Sequence, residues 1–205
     1  SFDDLIRLSK DPDPDGRLKE KLKQLWTTPI ISNEAYHRGM RPRHRQDPAL
    51  GPWLRVATWN IEKSIEIERV SLALVNRSAY QGMIDTSKIP PSSVLSQLAV
   101  KQRDLLGDAD VLVLQVMDIG VKRSGYVDAP KVLADALNMN YAYGAEYLEI
   151  DPAYLGTETI QLEGGEQDRE AMDYFRADPN RYKGLFGSAV LSRFPIKSVT
   201  LFPLD

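Results

Sequence analysis

The segment Leu54-Arg-Val-Ala-Thr-Trp-Asn-Ile-Glu62 constrains the fold more than any other part of this 205-residue chain. It predicts a short buried strand, Leu54–Asn60. Side chains on a strand alternate faces, so Thr58, Asn60 and Glu62 share one side if the strand runs that far. A second segment, Ala109-Asp-Val-Leu-Val-Leu-Gln-Val-Met-Asp-Ile-Gly120, carries the continuous apolar run Val111–Val116 of a strand buried on both faces. The same alternation puts residues 110, 112, 114, 116 and 118 on one face. A third segment, Gly184-Leu-Phe-Gly-Ser-Ala-Val-Leu-Ser-Arg-Phe-Pro-Ile196, follows a long acidic loop at 151–183. Strands alternating with helical patterns indicate an α/β domain, in which functional side chains gather beyond the carboxyl ends of strands. Asn60 and Val116 both fall at such ends.

Between these segments the apolar spacing predicts helices over Ser64–Asn76, with Ile65, Leu72 and Val75 on one side, and after Ser92 or Ser93, with the stripe Val94, Leu98 and Leu105. Gln81–Pro91 reads as a loop, and Asp128-Ala-Pro130 opens a third helix with proline in its first turn. Strands are expected at Asn140–Ile150, Ser188–Ser192 and Lys197–Phe202. Residues 1–53 form an amphipathic helix, with Leu18, Leu22 and Leu25 in register, and then a Pro/Arg-rich arm lying over the domain of residues 54–205. The start at Ser1 and the end at Asp205, inside an apparent strand, suggest a fragment.

In order and spacing, the three segments resemble the endonuclease/exonuclease/phosphatase family, the metal-dependent phosphoester hydrolases related to deoxyribonuclease I. The resemblance covers roughly residues 54–204 and implies the first half of a four-layer α/β/β/α sandwich. It implies a role for Asn60 in seating the phosphate, Glu62 as a metal ligand or its neighbour, and Mg2+ or Mn2+ as cofactor. Where the family writes Leu-Gln-Glu, this chain has Leu114-Gln115-Val116. The expected primary ligand is therefore a valine, which offers no oxygen to a hard cation. Asp118, Gly120, Arg123, Ser124 and Gly125 match the continuation of that motif in bacterial members. Asp118 is a substitute ligand only if the strand bulges. Arg123 either faces a phosphate or braces the loop by pairing with Asp118. In the third segment Phe186 replaces a histidine common in relatives, and Ser188 keeps a hydrogen-bonding side chain for phosphate. The family's catalytic histidine–aspartate motif would lie beyond Asp205.

Composition excludes little. The net charge of −3 gives no general attraction to nucleic acid or membrane, and no apolar run approaches the ~18 residues of a membrane span. The absence of cysteine removes disulfides and thiolate metal sites without deciding the compartment, so a periplasmic or secreted location stays open. Two functional expectations stand: a phosphoester hydrolase, with nucleic acid among its candidate substrates and impaired at position 116, or a non-catalytic module that keeps the fold and binds anionic partners.

Overall fold

The computed structural model describes residues 1–157 and 175–202. The expected loop at 151–183 lies partly outside them. Among the described residues the chain forms α1 Phe2–Lys10, α2 Arg17–Thr27, β1 Ile30–Ser32, α3 Glu34–His37, the hairpin of β2 Arg45–Asp47 and β3 Gly51–Trp53, and β4 Val56–Asn60. Three helices follow, α4 Ile67–Val75, α5 Arg77–Met83 and α6 Val94–Gly107, then β5 Val111–Ile119, α7 Ala129–Leu137, β6 Asn140–Leu148, α8 Pro152–Leu155 and β7 Leu185–Ser192.

The α/β class holds. The main sheet is mixed and five-stranded, in the order β1-β6-β7-β5-β4. The α4–α6 crossover makes β4 and β5 a parallel pair, and β7 enters antiparallel to both β5 and β6. Leu112, Leu114, Tyr141, Tyr143, Ala189 and Leu191 point to one face, where Ile67, Leu74, Leu133 and Leu137 of α4 and α7 complete the core. Helix α7 begins as its sequence demands: Asp128 accepts the Lys131 N–H at 3.0 Å, with Pro130 in the first turn.

The opposite face is largely uncovered by the described residues. Val56 is 61 % and Val190 39 % exposed. Leu201 crosses Gly144 where the missing Cβ leaves room, since an added one would sit 2.7 Å from the leucine. That close approach is what the expected strand Lys197–Phe202 does instead of pairing, as residues 197–202 adopt no regular structure.

Other expectations also change. The stripe Val94, Leu98 and Leu105 faces solvent, while Ser96 and Val100 turn inward, because α6 packs on α4 and α5 rather than on the sheet. The Gln81–Pro91 loop starts later, because α5, capped by Asn76 on the Ala79 N–H, runs to Met83. The arm is more than a strap. β1 pairs with β6 as an edge strand, and Asn33 imitates a strand backbone, bonding Ile196 O at 2.9 Å and Ile196 N at 2.8 Å. Arg45 reaches the fully buried Asp110 at 2.7 Å.

Candidate active site

β4 and β5 run in register from Val56↔Val111 to Asn60↔Gln115. On the open face Gln115 donates to Thr58 Oγ1 at 2.8 Å. On the next strand Ser188 donates to Glu146 Oε1 at 2.5 Å. Thr58, Asn60, Gln115, Ser188 and Glu146 thus form a polar band across four strands, above the apolar Val56, Val113 and Val190. The sequence pointed to Asn60 and Ser188 and placed Thr58 on the face of Asn60, but it did not point to Gln115, which lies in register with Asn60, or to Glu146.

β5 carries a bulge at this level. Leu114 pairs with Ala189 and Met117 with Gly187, so Gln115 and Val116 together face Ser188. The bulge overturns the expectation that residues 110, 112, 114, 116 and 118 share a face, since beyond Leu114 it is Met117 and Ile119 that join Leu112 and Leu114 in the core. β6 bulges at the same height, between Ala145 and Tyr147. Gly187 is pinched between the two, and a Cβ there would lie 2.0 Å from Gly144 O. The expected serine site therefore rests on a glycine that allows both neighbours to kink. Phe186 stacks on Tyr147, ring centroids 4.3 Å apart, and serves packing.

Val116 sits in this bulge at φ 64, the left-handed region, where a β-branched side chain is a genuine outlier. Facing it, Glu62, Lys63 and Ser64 have φ 49, 58 and 56, and Glu66 follows at 61. They delay the expected Ser64–Asn76 helix until Ile67. Five of the seven non-glycine residues with positive φ among those described therefore cluster here. Each costs about 1–2 kcal/mol, and strain of this kind collects at functional sites. Asn60 Oδ1 accepts the Glu62 N–H at 3.1 Å, closing the strand into the turn, and the Glu62 side chain is exposed.

Asp118 is elsewhere in function as well as in direction. Both its oxygens accept from Arg123, each at 2.8 Å, and Arg123 also reaches Glu149 at 2.5 Å. Burial lifts the Asp118 carboxyl above its ordinary pKa, and Arg123 only partly offsets this. Burial works against the Arg123 charge, but the bonds to Asp118 and Glu149 outweigh it and shift its pKa upward. The brace is the arrangement formed, with one bond from each Arg123 nitrogen and one Arg123 bond on each Asp118 oxygen.

Among the described residues, those at the expected position do not make a divalent-cation site. Valine at 116 offers no oxygen, Asp118 is committed to Arg123, and no group of three or more His, Cys, Asp or Glu among the described residues is placed to hold a metal. The arm's arginines are engaged too: Arg38 with Glu34 and Asp135, Arg43 and Arg45 with Asp108. Among the described residues no helix is long and apolar enough to cross a membrane. In comparisons with known proteins, no family model, no curated protein and no solved structure matches this chain.

Proposed function

We propose that this chain carries a phosphoester-hydrolase domain of the deoxyribonuclease I-like kind, silent at its metal step because position 116 is a valine. In that reading a second sheet packs on the open face, giving the four-layer sandwich. The observation that carries it is the bulge: a valine in a conformation valine disfavours stands beside the strand end bearing Asn60 and opposite Ser188. Asn60 would help seat the phosphate, with Ser188 close by. No hydrolytic step is assigned to the chain as it stands.

The test is Val116→Glu in the full-length protein, with magnesium binding followed by calorimetry and hydrolysis measured on DNA, RNA, phospholipid headgroups and small phosphoesters. Regaining a catalytic metal ligand should raise the rate by about 10²-fold, roughly 2.7 kcal/mol of transition-state stabilisation. A variant that neither binds magnesium nor hydrolyses any of these overturns the proposal.

The lack of a ligand cluster among the described residues favours a second reading, a module that binds anionic partners without metal. It requires binding to an anionic polymer that weakens between two salt concentrations and ignores chelators.

A further inference from the structure

Ser64 is fully buried and holds φ 56 without being glycine. Its hydroxyl accepts the Asp118 N–H at 3.3 Å, across 54 residues of sequence. Three residues earlier, the Ile61 N–H donates to Gln115 O at 3.1 Å. The two cross-links, 61 to 115 and 64 to 118, enclose two strained arcs: the left-handed turn on one side and the bulge with Val116 on the other. Such arcs persist only where their surroundings over-determine them. The first cross-link is backbone to backbone and forms with any residue but proline at 61. The second depends on a hydroxyl. Its donor is held in place because Arg123 clamps the Asp118 carboxylate.

We propose that Ser64 is a positioning residue, a latch that keeps the turn bearing Glu62, and the Asn60 it closes on, in register with the bulge bearing Val116. The latched pair of arcs opens as a unit, short of global unfolding. Its importance for catalysis rests on the hydrolase reading above. The latch itself does not, so its test reads the backbone.

Residue-resolved amide hydrogen exchange on the 205-residue chain provides that test. In the unaltered protein, the amides of Ile61, Ile65 and Asp118 should exchange at least about tenfold faster than those of Leu112 and Leu114. Ser64→Ala should cost Asp118 and Ile65 a further loss of about tenfold while Leu112, Leu114 and Leu191 keep their protection. Lys63 is exposed, so Lys63→Gly removes strain without touching the latch, and it should restore protection in the double variant. Unchanged exchange at Asp118 and Ile65 in Ser64→Ala, or a uniform loss across the sheet, overturns the latch. If Ser64→Ala does not fold, Lys63→Gly alone decides: slower exchange at Ile65 and Asp118 supports the latch, and no change overturns it. A Val116→Glu variant that ignores magnesium would remove the hydrolase reading and leave these results untouched.

Discussion

Val116 stands in a backbone conformation that its own side chain opposes. A β-branched side chain at φ 64 crowds its own backbone, and glycine does not. Val116→Gly should therefore stabilise the chain by about 1 kcal/mol, the left-handed strain removed less the entropy glycine adds to the unfolded state. Chemical denaturation checks the sign, and a loss of stability would mean that the valine's packing outweighs its strain. Arg123 gives the opposite case. Arg123→Met leaves Asp118, which is fully buried, without its partner and should cost about 3–5 kcal/mol. The Asp118–Arg123 brace was legible in the sequence because the two stand five residues apart across a glycine turn. Ser64 was not, because nothing local announces a hydroxyl whose partner lies 54 residues away.

The elements show where pattern reading succeeds. β5, α7 and β7 were legible because burial on the sheet enforces their apolar periodicity, whereas β4, expected to be buried, alternates between exposed and half-buried residues at the sheet edge. The parity of β5 was not, since a bulge inserts one residue without changing composition. Its one visible trace is Gly187, and Gly187→Ala should cost about 2–3 kcal/mol by driving a methyl into the Gly144 carbonyl. Thermal melting would show it, and an unchanged midpoint would mean the two bulges relax. The β2–β3 hairpin is held by Arg45, Arg55 and Arg43 on Asp108. The Arg45 hydrogen bond, outweighing burial, keeps the Asp108 carboxyl below its ordinary range. Its folded pKa thus lies below the unfolded value of about 3.9. The clasp is complete above that pH and is lost as pH falls through the folded value. Trp53, whose ring centroid lies 5.1 Å from the Arg45 guanidinium, should report the loss by fluorescence on acidification. Asp108→Asn should flatten that acid limb, and an identical titration in the variant would assign the transition to other carboxylates.

Across the whole molecule, helices cover one face of the sheet and the described residues leave much of the other bare. Val56, Val113 and Val190 form an apolar row there, so residues 1–205 alone should self-associate as concentration rises. Sedimentation should show this, with Val190→Lys shifting the chain toward monomer. A monomer at every concentration would mean the face is tolerated in water. The class of the domain was legible from strand–helix alternation, whereas the place of the arm was not, because β1 is three residues long and finds its partner in β6. The pairing of Asn33 with Ile196 adds a consequence in time. The two lie 163 residues apart, so a ribosome adding about 5–20 residues per second exposes Asn33 roughly 8–33 s before its partner exists. β1 and β6 are both made before Ile196, so that edge can pair first, and the Asn33–Ile196 bonds close it last.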